Sequence, residues 1–302
     1  MSPDALRWRY LVTARPPPKA AGESNGDANR LPRAAGVTAS ASPKDPSGAC
    51  VAHLTSTDNT LIKALARLDQ ARERREQGLF LVEGRRALAT MLGAGCMPVH
   101  LFRRDDVAHP DGWPEATTVS ARVAEKLSHA SSPSGLVAAF ALPTAPPVAA
   151  SDGGLVLVSV GDPGNLGTLI RTAAALGVRR IVCVDGADPY APKVVQATAG
   201  TLALVTVSSL TDAEALATLL AADAAPCCAL VPRGGVAPAA LPSGPRWLLV
   251  GSEAHGLPDA WLAGARQRLT LPMPGGAESL NAAVAGAIAL YLLMDAPPRM
   301  PA

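Results

Sequence analysis

Five polar residues near the ends of apolar runs have types and spacings suited to chemistry. Asn165 and Arg171 follow the run ending at Val160, in Val160-Gly-Asp-Pro-Gly-Asn-Leu-Gly-Thr-Leu-Ile-Arg-Thr-Ala173. An amide at a helix start and a guanidinium in its second turn would address a ligand lying across that end. An arginine on such a helix equally suits a surface ion pair. Glu253 sits at the tip of Leu248-Leu-Val-Gly-Ser-Glu-Ala-His-Gly-Leu-Pro258, where a carboxylate binds an amine, a hydroxyl or a cation. Ser279 and Asn281 open the long Ala/Leu run that follows Leu269-Thr-Leu-Pro-Met-Pro-Gly-Gly276. Ser279 is placed to cap that helix by accepting from unpaired backbone N–H groups. The same N–H groups and the positive end of the helix dipole would serve a ligand. In isolation, the segment reads as well as a capped core helix.

The elements that position these residues alternate strand and helix. Strands are expected over Leu155–Val160, Arg180–Val184, Ala203–Val207, Cys228–Leu230, Trp247–Val250 and Leu269–Leu271, nearly all apolar, as in a parallel sheet covered on both faces. Helices are expected at about Asn165–Leu176, Pro192–Ala199, Asp212–Ala221, Pro258–Gly264 and from Ser279 onward. The three polar loops each follow a strand, so neighbouring strands would gather them at the carboxyl edge of the sheet. Gly161, Gly164 and Gly167 do not have the dinucleotide-fingerprint spacing.

Upstream lies a smaller α/β unit over 51–143. It comprises a helix over Thr60–Glu76, capped within Thr57-Asp-Asn59, and a strand over Leu79–Val82. A helix through Leu88 and Leu92 to Gly93, a strand over Val99–Phe102, a helix over Val123–Ser128 and a strand over Gly135–Leu142 complete it. Residues 144–154 are rich in Pro, Ala and Gly and read as a linker to the larger unit at 155–296; residues 1–50, with Pro16-Pro-Pro18, read as a disordered basic tail.

A formal charge of +2 and a pI near 8.3 do not mark a nucleic-acid protein by themselves. The distribution does more: between Lys63 and Arg86 stand Lys63, Arg67, Arg72, Arg74, Arg75, Arg85 and Arg86 against Asp69, Glu73, Glu76 and Glu83. Polyanion contact is therefore expected from the first unit, with Arg74, Arg75, Arg85 and Arg86 as candidates. Each also suits an ordinary solvated helix face. The five cysteines are odd in number and show no C-x-x-C spacing, which argues against a disulfide framework and a zinc site and suits a reducing cytoplasm. No apolar run reaches membrane-spanning length, and no signal-peptide core opens the chain.

Taken together, the three loops resemble the three motifs of the SpoU/TrmH family of RNA ribose methyltransferases, within the SPOUT class. Asn165-x-Gly167-x-x-x-Arg171, Gly251-Ser-Glu253-x-x-Gly256-Leu and Leu271-Pro-Met273-x-Gly-x-x-x-Ser279-Leu-Asn281 arrive in order. Residues 55–142 resemble the family's substrate-binding domain through Asn59-x-x-Ile-Lys-x-Leu, Phe80-Leu-Val-Glu-Gly-Arg85 and Leu127-Ser-His-x-x-Ser-Pro-Ser-Gly135. Pro274 and His255 depart from or vary within the pattern. The resemblance implies an α/β fold with a SPOUT-type parallel sheet and a C-terminal trefoil knot, preceded by a small α/β RNA-binding domain. It implies S-adenosylmethionine held by backbone near Gly251, Gly256, Leu271, Met273 and Leu280. It implies a homodimer joined through the last helix, and methyl transfer to a ribose 2′-oxygen of RNA. Asn165, Arg171, Glu253, Ser279 and Asn281 would be the catalytic set, with Arg171 as an electrostatic clamp rather than a base. Ribosomal RNA of the 23S type is the expected substrate; tRNA and a catalytically silent RNA-binding protein are the alternatives.

Overall fold

A computed structural model of the chain describes residues 53–145, 147–148, 153–220, 225–276 and 278–293. The tail expected over 1–50 lies outside the described residues, as does part of the 144–154 linker.

The first unit is a five-stranded sheet, β1 (His53–Leu54), β2 (Leu79–Glu83), β3 (His100–Arg104), β4 (Thr117–Val119) and β5 (Leu136–Ala141), in the order β1-β4-β3-β5-β2. β5 is antiparallel to β2 and β3, and the remaining pairs are parallel. β1 and β4 carry no sustained apolar alternation, which is why the sequence did not announce them as strands.

The helix expected over 60–76 is broken. α1 (Thr60–Ala66) is capped by Asn59, whose side chain accepts from Leu61 N at 2.9 Å and Ile62 N at 3.4 Å. A 3₁₀ turn over Arg67–Asp69 and an extended Gln70 separate it from α2 (Ala71–Gln77), which ends at Gly78 with φ +64°. A helix end leaves carbonyls without intrahelical partners. Here Arg74 supplies them, donating to Leu68 O at 2.7 Å and Asp69 O at 2.8 Å. The tighter turn keeps Leu68 in the core with Ile62 and Leu65. α3 (Arg85–Gly93) and α4 (Ala121–Leu127) complete the unit.

The second unit is a six-stranded, all-parallel sheet in the order β11-β9-β10-β6-β7-β8. Its strands are β6 (Gly154–Val158), β7 (Arg180–Val184), β8 (Thr206–Leu210), β9 (Cys227–Leu230), β10 (Trp247–Val250) and β11 (Gln267–Leu269). Leu155 and Leu157 face one buried cluster and Val156 and Val158 the other, so both sheet faces are covered. The helices are α5 (Pro163–Ala175), α6 (Pro192–Thr198), α7 (Asp212–Ala215, continued by a π turn over Leu216–Leu220), α8 (Asp259–Gly264) and α9 (Ala282–Leu292).

Several boundaries differ from expectation, and three of them have a clear backbone cause. The strand expected over 203–207 begins at Thr206, because Ala199 and Gly200 turn left-handed and residues 201–204 form a 3₁₀ turn. A Cβ at Gly200 would stand 2.3 Å from Ala87 O, so the turn brings the backbone directly onto α3. β11 pairs at Gln267–Leu269 and ends before Leu271, since the chain must leave the sheet ahead of Pro272. The last helix starts at Ala282, with Asn281 rather than Ser279 as its cap.

The two units share one core. Phe80, Val82, Leu88 and Met91 join Leu157, Leu169 and Val194 in a single buried cluster. Phe80 meets Tyr190 edge-on at 5.1 Å. Burying such side chains contributes about 1.5–3 kcal/mol each, which makes this seam a firm join rather than a loose tether. Arg74 reaches across it to Asp188 Oδ2 at 2.5 Å.

Candidate functional site: a cleft at the carboxyl edge of the sheet

β6 and β10 are hydrogen-bonded neighbours, while β9 separates β10 from β11. Their following loops nevertheless converge, because all three strands are parallel and end at the same edge.

The loop after β10 is a tight reversal: Ser252 N donates to Gly256 O at 3.1 Å and Gly256 N to Ser252 O at 2.9 Å. Gly251 is dictated by this fold-back. A Cβ there would lie 2.2 Å from the Gly256 carbonyl carbon, and Gly256 itself has φ +68°. Glycine at 251 therefore answers first to the loop's own backbone.

The polar groups at the rim form one directed chain. Asn281 Oδ1 accepts from Ala283 N at 2.9 Å and Val284 N at 3.2 Å, capping α9. Capping fixes which end of that amide faces the helix and turns Nδ2 outward. Asn281 Nδ2 donates to Asn165 Oδ1 at 3.1 Å, and Asn165 Nδ2 donates to Glu253 Oε1 at 2.6 Å. Asn165 is itself held in the first turn of α5, its N–H donating to the cap residue Asp162 at 2.7 Å. Glu253 Oε2 has no partner among the described residues and is left to accept from a ligand hydroxyl or amine.

Behind this rim opens a cleft of about 640 Å³, lined by Gly251, Glu253, Gly256, Leu271, Met273, Ser279, Leu280 and Asn281. All five residues expected to hold a cofactor are thus together, with Ser279 beside them as a wall residue. Leu230, Val231 and Pro232 also line the cleft, and the sequence did not single them out. Nothing in their types carries chemistry; they line it because β9 lies between β10 and β11. The volume suits a ligand-sized pocket with apolar walls and few polar groups.

Arg171 is not brought to this group. It lies in the third turn of α5, not the second, exposed and without a partner among the described residues. Six residues place it about 9 Å along the axis from Asn165 and roughly 120° around it. Of the basic candidates, Arg75, Arg85 and Arg86 are exposed, but Arg74 is only 2% exposed. Arg74 is a correction: its guanidinium is consumed by Leu68 O, Asp69 O and Asp188, so it joins the two units and has no face for RNA.

The four described cysteines are buried and held away from the thiolate form. Burial pushes Cys96, Cys227 and Cys228 up to about 11, and burial with the nearby Asp188 carboxylate pushes Cys183 up to about 12. No group of three or more metal-ligating side chains occurs among the described residues.

Comparison with known proteins agrees with this geometry. The SpoU rRNA methylase family matches residues 154–291, and the MRM3-like substrate binding domain matches residues 59–138. A tRNA/rRNA methyltransferase of Synechocystis, itself uncharacterised, is 32% identical over 80% of this chain and 93% of its own. The chain belongs to the SpoU methylase family. The Bacillus subtilis 23S rRNA (guanosine(2553)-2′-O)-methyltransferase RlmP is 27% identical, covering 80% of this chain and 98% of its own. A crystal structure of an AdoMet-bound rRNA methyltransferase from Sinorhizobium meliloti superposes with a TM-score of 0.70 and 27% identity, covering 80% of this chain and 96% of that one.

Proposed function

We propose that this SpoU-family chain methylates a ribose 2′-oxygen of ribosomal RNA, of the 23S type, using S-adenosylmethionine bound in the carboxyl-edge cleft. The observation that carries this reading is the Asn281–Asn165–Glu253 chain standing over that cleft. The B. subtilis relative named for a 23S rRNA 2′-O position supports the choice of RNA.

The cleft fits the group. Leu230, Val231, Leu271 and Leu280 offer apolar walls to a purine and ribose, and the backbone around Gly251, Gly256 and Met273 offers hydrogen-bonding edges. Bound there, S-adenosylmethionine supplies an electrophilic methyl group on a sulfonium. The chain's own work is to position a poor nucleophile and stabilise the charge it develops. Glu253 is placed to accept from a ribose hydroxyl, with Asn165 holding its carboxylate in one orientation. Arg171, always protonated, serves as a clamp on a neighbouring phosphate and on the nascent alkoxide.

A homodimer belongs to the same reading. α9 buries Ala283, Gly286, Ala289 and Leu290 but exposes Val284, Ile288 and Tyr291, spaced by four and three along one face, with the exposed Leu280 just ahead of them. The opposite, buried face packs on α5, where a Cβ at Gly286 would stand 2.5 Å from Leu169 Cδ2, and α5 in turn exposes Thr168 and Arg171. A second copy packed on the exposed face would bring Arg171 to a site that one chain alone does not complete. The trefoil knot is likewise part of the proposal. After β11 the chain is fastened to the segment following β9, with Thr270 N donating to Val236 O at 3.0 Å, before it continues to the cleft and α9. A cytoplasmic location follows from the substrate; no helix among the described residues is long and apolar enough to cross a membrane.

The test is methyl transfer from tritiated S-adenosylmethionine to transcripts of 23S rRNA, 16S rRNA and tRNA. Alkali-resistant label in 23S rRNA, together with a thermal shift on adding S-adenosylhomocysteine, is the expected result. Label confined to tRNA would move the enzyme to the alternative substrate, and neither label nor thermal shift would overturn the reading.

A further inference from the structure

A second recess, of about 170 Å³, lies at the seam between the two units and away from the cofactor cleft. Leu81 and Val195 give it apolar walls, one from each unit, and Glu83, His129, Ser132 and Gln196 give it polar groups. Glu83 is the part already organised. Its Oε2 accepts from Ser128 Oγ at 2.7 Å and its Oε1 from Ser134 N at 2.9 Å, so the carboxylate pins down the 128–134 loop that forms one side. Gln196 and His129 are exposed, and their side chains have no hydrogen-bond partner among the described residues. An amide offers donor and acceptor together, as an imidazole and a hydroxyl do, which is what the edge of a heterocyclic base requires.

Position and charge narrow the ligand. Gln196 lies on α6, which follows β7, and Asn165 on α5, which follows β6; both helices therefore start at the carboxyl edge. The two helices are in direct contact, since a Cβ at Gly167 would stand 2.5 Å from Ala197 Cβ and 2.8 Å from Val194 O. The recess is thus lined by the helix that packs directly on the one carrying Asn165. Arg85 and Lys193, each next in sequence to a lining residue, are exposed cations at the rim. The recess has room for one ring system and not for the larger ligand the cofactor cleft admits.

We propose that this recess receives one unpaired base of the substrate RNA, a near neighbour of the methylated nucleotide, turned out of its stack and read by Gln196 and His129. The apolar walls stack on or against the base, the amide and imidazole bond its edge, and Arg85 and Lys193 meet the flanking phosphates. This inference rests on the reading of the chain as an RNA methyltransferase and adds a specificity site to it. A base pocket shared by both units also gives the firm seam a role, because it would hold the recognised base at a fixed distance from the cofactor cleft.

The experiment uses the full chain with a 23S rRNA transcript, comparing wild type with Gln196→Leu, His129→Ala and Ser132→Trp, the last placing a bulky ring at the mouth. All three positions are exposed, so folding should be kept, and S-adenosylhomocysteine affinity reports on the untouched cleft. Each variant is expected to raise KM for RNA roughly tenfold with that affinity unchanged, as when one base is no longer recognised. An abasic scan of the substrate should then find one position whose missing base costs wild type about the same, and costs Gln196→Leu little further. If wild type methylates the RNA and the three variants match its KM, the recess is not a base site, although the methyltransferase reading stands. If wild type labels tRNA alone, the same comparison is made on that RNA; if it transfers methyl to neither rRNA nor tRNA, that reading fails and this inference with it.

Discussion

The carboxyl-edge cleft and the seam between the units both gather polar side chains, but they use them in opposite ways. At the cleft, Asn165, Glu253 and Asn281 bond to one another near the surface and leave a carboxylate oxygen facing outward. At the seam, Arg74 bonds to two carbonyls and to Asp188, and its side chain is almost wholly out of water. A buried charge with several partners is a structural joint: removing one partner strands the other, and nothing is left to bind a ligand. A partly exposed chain with one spare acceptor holds its geometry and still has something to offer. Arg171 and Arg74 stand at the extremes of that contrast.

Four measurements would break or sharpen it. Arg171→Ala should lower the methyl-transfer rate about 10²–10³-fold, the usual cost of removing a charge stabiliser, while melting temperature and S-adenosylhomocysteine affinity stay as in wild type. An active variant would remove Arg171 from the mechanism. Arg74→Met should instead cost about 3 kcal/mol of unfolding free energy in a denaturant titration, at the lower end for a broken buried pair because Asp188 keeps some exposure to solvent. Its RNA affinity per folded molecule should not change, and a weaker affinity would return Arg74 to the RNA surface. Gly251→Ala must displace the Gly256 backbone that a Cβ would meet at 2.2 Å. We expect a destabilisation of about 1–3 kcal/mol, read chiefly as weaker S-adenosylhomocysteine binding by calorimetry, since the distorted loop is a wall of the cleft. Arg85→Glu with Arg86→Glu should have the mildest effect on the folded protein. RNA binding should weaken at low salt, and the slope of log K against log salt should flatten by about 0.7–0.9 for each phosphate no longer neutralised. An unchanged slope would make these two arginines ordinary solvated residues.

Much of the cleft is legible in the sequence because its motifs are local. A glycine reversal after an apolar strand, a carboxylate at its tip and an asparagine opening a helix occupy fixed sequence offsets, and the parallel sheet carries them to one edge. The cap lies two residues beyond the expected one, since Ser279 and Asn281 both suit an N-cap and only the backbone path after Gly275-Gly276 decides between them. Arg74 departs from expectation for a different reason. In sequence it sits among Arg72 and Arg75 on a charged helix, and only the break at Gln70 and the approach of Asp188, more than a hundred residues away, turn it inward.

What the sequence by itself determined is the alternation of strands and helices and the polar loops that follow the strands of the larger sheet. These follow from apolar periodicity and from glycine, proline and capping residues acting over a few positions. Only the tertiary structure decided which polar groups are spent and which remain available. It placed β9 between β10 and β11 and so made Leu230 and Val231 walls of the cleft; it joined the units through Phe80 and Tyr190; and it left Arg171 apart from Asn165. The physical reason is that burial and hydrogen-bond partners depend on how distant segments pack against one another, which no local pattern of residue types records.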